Sequence, residues 1–168
     1  MKRKTHYPVT HTEIKSFTES SGAQQVSMDN AFFGQFPERI LISIVKNISF
    51  VYSASTNPFP FQHYDMTNPV LYVNGVQHPP ERLTMNYSSN FGATRAFETL
   101  FWSTGLNLND CAHMITLQIL TKGLYIFGFY LTQDRDADEV HICLPHQGNL
   151  RLQSIASGLR KHNLLVVF

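Results

Sequence analysis

Charge is scarce in this sequence. Of its 168 residues, only 15% are Asp, Glu, Lys or Arg, against about 25% in an average globular protein. The net charge is +1, so no broad basic surface points to nucleic acid, and little repulsion keeps copies apart. The two cysteines, Cys111 and Cys143, are too few for a disulfide framework and imply no oxidising compartment. Long apolar runs are missing as well. Ile40–Val45 and Leu164–Phe168 fall far short of the roughly 20 residues that cross a bilayer, so no membrane partner is expected. No repeat of about 20–50 residues is visible, which excludes solenoids and propellers. The opening Lys2-Arg3-Lys4 is followed by His6, Tyr7, Pro8 and Thr10 in place of an apolar signal segment. Residues 1–8 therefore read as a basic tail on a protein that is not secreted. The glycosylation patterns Asn47-Ile48-Ser49 and Asn86-Tyr87-Ser88 would then stay idle.

Catalytic patterns are also lacking. There is no Gly-x-Ser-x-Gly elbow, no phosphate loop and no His-Glu-x-x-His. Cys111-x-His113 and Cys143-x-x-His146 together offer a Cys₂His₂ set, but a Cys-x-His pair is not a zinc half-site. The run Asp134-Arg135-Asp136-Ala137-Asp138-Glu139 begins like a calcium loop. It then places Glu139 where a glycine is needed and Pro145 where the closing glutamate belongs, so it reads as an acidic surface loop. No catalytic, metal or cofactor-binding residue is assigned, and neither an enzyme activity nor a small-molecule substrate is expected.

What the sequence has is aromatic side chains, 13 Phe and 7 Tyr beside a single Trp, in short runs bounded by turn residues. That pattern belongs to an antiparallel sandwich or barrel, whose half-buried pleated surfaces suit such residues. Strands are expected at Val9–Phe17, Arg39–Lys46, Val70–Val73, Val76-Gln77, Leu124–Leu131, Leu150–Ile155 and Leu164–Phe168, with a polar turn at Ser20-Ser21-Gly22. The Arg39–Lys46 run is apolar on both faces. Asn74-Gly75 supplies the two positive φ values of a type I′ hairpin turn, while Pro58 and Pro60 make 57–61 a loop. One helix is expected at about 91–102, capped by Asn86, Ser88, Ser89 or Asn90 and stopped by Gly105. Its Phe97, Leu100 and Phe101 share one face. The expected core is Ile40, Ile42, Ile44, Phe97, Leu100, Phe101, Phe127, Phe129, Leu150 and Leu152.

Four stretches, taken in order, resemble a known family. They are Met28-Asp29-Asn30-Ala31-Phe32-Phe33-Gly34-Gln35-Phe36-Pro37-Glu38-Arg39; Asn57-Pro58-Phe59-Pro60-Phe61-Gln62-His63-Tyr64 followed by Leu71-Tyr72-Val73-Asn74-Gly75; Leu100-Phe101-Trp102-Ser103-Thr104-Gly105; and Phe127-Gly128-Phe129-Tyr130-Leu131-Thr132-Gln133-Asp134 with Gln147-Gly148-Asn149-Leu150-Arg151-Leu152. Over 7–168 they are similar to the C-terminal part of the hexon-like major capsid protein of Polinton/Maverick elements and adintoviruses. The family has Asp and Pro in place of Tyr130 and Gln133.

The resemblance implies an all-β fold, an antiparallel eight-stranded jelly-roll β-sandwich with one short inserted helix. Residues 9–168 would be a single domain equivalent to the second half of a double jelly roll, ending before its relatives do. It implies a structural role in a virion, with self-association into homotrimers, other capsid subunits as partners and no specific nucleic acid. For an endogenous copy the compartment would be cytoplasm or nucleus. The loops 57–64 and 134–145 become candidate subunit contacts, and the candidate contact residues are Phe59, Phe61, His63 and Tyr64 with Trp102 of the expected helix. A jelly-roll module that binds protein or carbohydrate is the alternative, because this fold hosts many functions. A metal enzyme built on His113, His146 and the cysteines ranks last.

Overall fold

The computed structural model describes residues 11–19, 25–51, 57, 59–64, 66–104, 114–131, 147–156 and 162–167. Among them run eight strands and three short helices: β1 (Ile14–Glu19), β2 (Gln25–Gln35), β3 (Arg39–Lys46), α1 (Asn47–Phe50), β4 (Met66–Val73), β5 (Val76–His78), α2 (Ala93–Ser103), α3 (Leu117–Thr121), β6 (Ile126–Tyr130), β7 (Gln147–Ala156) and β8 (His162–Val167). Two four-stranded sheets form, ordered β1-β8-β3-β6 and β2-β7-β4-β5, and every paired neighbour is antiparallel. Chain order alternates between the sheets except at the β4–β5 hairpin. This is the double Greek key of a jelly roll.

Alternation explains the core. Val26 and Met28 of β2, Ile40, Ile42 and Ile44 of β3, Phe127 and Phe129 of β6, and Leu150 and Leu152 of β7 all point between the sheets and are buried. Register opposes Ile40 to Phe129 and Ile42 to Phe127, so aromatic rings face β-branched side chains across the ladder. Tyr125, directly before β6, stacks edge-on against Phe127 with ring centroids 4.8 Å apart. Its hydroxyl lies 3.4 Å from the Ser154 hydroxyl in the buried interior.

The β3 run is apolar on both faces because its outer face is covered too. Gly128, opposite Leu41, lies beneath α2, where a Cβ would collide with the Ser103 side chain and come 3.2 Å from Leu100 Cα. The Arg39 guanidinium donates to the Thr104 carbonyl at 2.9 Å and anchors the helix end to the start of β3. At the edge where the two sheets meet, the His78 imidazole bonds the Tyr130 carbonyl at 2.7 Å, linking β5 to β6.

The Asn74-Gly75 turn has the expected backbone, with φ of 51° and 82°. Asn74 also accepts from the Asn149 amide through its side chain and donates to the Asn149 carbonyl from its backbone, both at 3.0 Å.

Several expectations need correction. The first strand is Ile14–Glu19, since Glu19 pairs with His162 at the far end of its ladder. Turn residues 20–22, the 1–10 segment and Gly105 lie outside the described residues. Strand β2 carries no simple alternation: between Met28 and Phe32 it spends four steps where β7 spends two, from Leu152 to Leu150. This bulge, with Asn30 at φ 56°, hides the period. The cap of α2 is neither Asn nor Ser but Gly92, at φ 77° with no side-chain bond. Asn86 instead accepts from the Ser88 and Ser89 amides, and its own amide bonds the Phe91 carbonyl. The fully buried face of α2 is Ala93, Ala96, Leu100 and Ser103. Phe97 packs against the core only in part. Phe101 is half-buried, its ring stacked on Phe97 with centroids 6.2 Å apart.

Replacing Gly128 with alanine is expected to cost about 1–3 kcal/mol, because the new methyl must push α2 off the sheet. Chemical denaturation of Gly128→Ala beside Gly34→Ala checks this. Both variants place a methyl in a strand, but no atom lies within 4 Å of the Gly34 position. That control therefore carries only the strain of its φ of 131°.

Candidate interaction surfaces

Two surfaces carry the chemistry that the core does not use. The first caps the end of the sandwich where β3 finishes and β6 begins. Loop 59–64 is stitched there by backbone bonds from His63 N–H to the Gly123 carbonyl, 3.1 Å, and from Tyr125 N–H to the Phe61 carbonyl, 3.2 Å. The Lys46 ammonium sits 6.0 Å from the centre of the Tyr64 ring, which brings α1 to the same end. Helix α3 arrives directly before Gly123, with Thr116 accepting the Ile119 amide as its cap.

This end exposes Ile48, Phe50, Val51, Phe59, Met114, Leu117 and Ile119. Phe59 is 68% exposed and meets Phe61 edge to face, with centroids 6.0 Å apart. His63 lies flat on Tyr87 at 3.8 Å. Neither α1 nor α3 has an acidic residue in its first turn or a basic one in its last. The structure thus brings Phe59, Phe61, His63 and Tyr64 together on one loop. Trp102 stands apart from them, exposed near the end of α2 that Arg39 holds at the start of β3, the opposite end of that strand. The contact loop expected at 134–145 lies outside the described residues.

The second surface is the solvent face of the β2-β7-β4-β5 sheet. A groove of about 600 Å³ is lined by Asp29, Asn30, Tyr72, Gly75, Asn149 and Arg151. The pairing Tyr72↔Arg151 puts these two side by side, with the guanidinium 4.8 Å from the Tyr72 ring centre. The Asp29 carboxylate lies 3.5 Å from Arg151 Nε. The β2 bulge sets Asp29 and Asn30 against this wall, a use of bulges that recurs where a side chain is re-aimed. Phe33 pairs with Asn149, which puts it on the same sheet face, and it is 81% exposed.

Sequence reading did not single out this groove. The alternation in Asn149-Leu150-Arg151-Leu152 and Leu71-Tyr72-Val73 does put Asn149, Arg151 and Tyr72 on one side. Only the bulge, invisible as a period, adds Asp29 and Asn30.

Among the described residues no three His, Cys, Asp or Glu side chains come together as a metal site. Cys111, His113, Cys143 and His146 lie outside the described residues. No helix among the described residues is long and apolar enough to cross a membrane.

These observations define a jelly-roll β-sandwich with an apolar end and a polar groove on one sheet face. Comparison with curated proteins finds the uncharacterized protein F54H12.2 of Caenorhabditis elegans, 24% identical over 128 residues. That match takes in 75% of this chain and 30% of the worm protein, so the chain spans less than a third of that relative's length. No family model matches the chain, and no solved structure matches it.

Burial raises the phenol pKa of both Tyr87 and Tyr125. At Tyr87 the nearby Tyr125 adds to the effect, and at Tyr125 the Ser154 bond opposes it. The unfolded chain releases these protons near the ordinary value of 10.0, while the native state retains them. The contribution is therefore fully present below that pH and is lost as pH rises above it. Denaturant midpoints are expected to fall between about pH 9 and about pH 11, and Tyr125→Phe to flatten that decline.

Proposed function

We propose that this chain is a structural, hexon-like capsid subunit whose work is packing and self-assembly. The observation that carries the reading is the strand order, β1-β8-β3-β6 against β2-β7-β4-β5, because jelly rolls of this kind build viral capsids as well as lectins and cupins. The ordered motif resemblance over 7–168 favours the capsid among these, and with it a homotrimer, further capsid subunits as partners and a place in the virion.

The apolar end supports self-association specifically. Ile48, Phe50, Val51, Phe59, Leu117 and Ile119 are exposed on helices and a loop with little charge, and the whole chain carries only +1. An exposed apolar patch of this kind marks a contact site, and in a closed trimer it would meet a different face of the next subunit, head to tail around the ring.

Size-exclusion chromatography with light scattering over a concentration series tests this. A discrete trimer is expected. The double variant Phe59→Ser with Ile119→Ser should weaken association by about tenfold or more, as loss of apolar anchors does at interfaces. A strict monomer at every concentration, or a trimer that the double variant leaves unchanged, would overturn the assignment of this end as the contact.

A further inference from the structure

We infer that the groove on the β2-β7-β4-β5 face is a binding site for an uncharged saccharide. This goes beyond the capsid reading and does not depend on it.

The fold leaves several hydrogen-bonding groups unused at this groove. Of the Arg151 guanidinium, only Nε faces a carboxylate, at 3.5 Å, while Cζ lies 4.8 Å from the centre of the Tyr72 ring. No other described residue binds it, so its terminal N–H donors stay open to the groove. Asp29 meets Arg151 through one oxygen and is 72% exposed at its side chain. That leaves the second oxygen as a strong acceptor. The Asn30 amide and the Tyr72 hydroxyl hold no described partner either and supply both donor and acceptor. Gly75, at the tip of the hairpin, has nothing within 4 Å of where a Cβ would stand, so a ligand can approach the backbone closely. Phe33 adds a wide exposed ring in register with Asn149.

Backbone strain gathers at the same place. Asn30, which lines the groove, is one of the non-glycine residues with positive φ. Asn30 sits in the bulge that swings Asp29 and itself towards Arg151. Such strain is concentrated where side chains are aimed at a ligand.

Charge decides the ligand class. Arg151 and Asp29 balance, so the groove has no net charge to attract a phosphate, a sulfate or an acidic sugar, and Asp29 would repel one. A pyranose has a rim of hydroxyls that both donate and accept, and one face of C–H groups. The rim suits Asp29, Asn30, Arg151 and the Tyr72 hydroxyl, and the C–H face suits Phe33. The volume, about 600 Å³, matches that of small-ligand sites.

The test titrates the isotope-labelled chain with the methyl glycosides of glucose, galactose, mannose and N-acetylglucosamine, and with sialic acid as the anionic control. Amide shifts are followed by NMR. At least one neutral glycoside should shift residues 29–33, 72, 75, 149 and 151 at millimolar concentration. Asp29→Ala and Phe33→Ala, both at exposed positions, should each weaken that binding by about tenfold with thermal unfolding unchanged. Shifts from no neutral sugar, shifts elsewhere on the molecule, preference for sialic acid, or full binding by both variants would overturn the inference. None of these outcomes touches the oligomeric state, so the site and the capsid reading stand or fall separately.

Discussion

The Phe127-Gly128-Phe129 step of β6 faces two layers at once, and the rest of the domain is arranged around it. Its rings fill the space between the sheets opposite Ile42 and Ile40. The glycine between them leaves the outer surface flat enough for Leu100 and Ser103 of α2 to lie directly on the strand. Close packing tolerates no added volume at such a contact. The bonds that frame it, His78 to the Tyr130 carbonyl and Arg39 to the Thr104 carbonyl, fix the sheet edge and the helix end by polar groups whose geometry is narrow. A long connection from β5 to β6 is thereby turned into a third layer over one sheet.

Elements whose physics is local were legible in the sequence. Strand β3 matches its expected bounds, and Asn74-Gly75 forms the turn its two positive φ values require. The α2 helix and the buried β6 rings followed from periods of about 3.6 and 2. What was hidden depends on partners distant in sequence. The cap of α2 is decided by Thr84, whose carbonyl blocks any Cβ at Gly92, and not by the Asn and Ser residues beside it. The β2 bulge exists because Met28 and Phe32 must reach Leu152 and Leu150. Phe97 and Phe101 fall at the rim, since small residues, Ala93 and Ala96, let the helix approach most closely.

The candidate surfaces divide in the same way. Loop 57–64 was conspicuous through Pro58, Pro60 and its aromatics, and Phe59, Phe61, His63 and Tyr64 do share one end. Trp102 does not join them, because α2 runs along β6 and carries it away. The sheet-face groove draws on β2, β4, β7 and the hairpin, four pieces of chain that only the jelly-roll threading makes neighbours.

The bulge in β2 has a consequence beyond aiming Asp29. Strand β2 is the outermost of its sheet, and at 11 residues it would offer a long unfinished ladder to any extended chain. The bulge between Met28 and Phe32, with Asn30 at positive φ, breaks that ladder into two shorter pieces whose amides and carbonyls no longer line up. An incoming strand finds no continuous register, which is how natural sheets avoid growing into fibres. Crowded copies of this domain are steered towards meeting through side chains and away from fusing through backbone.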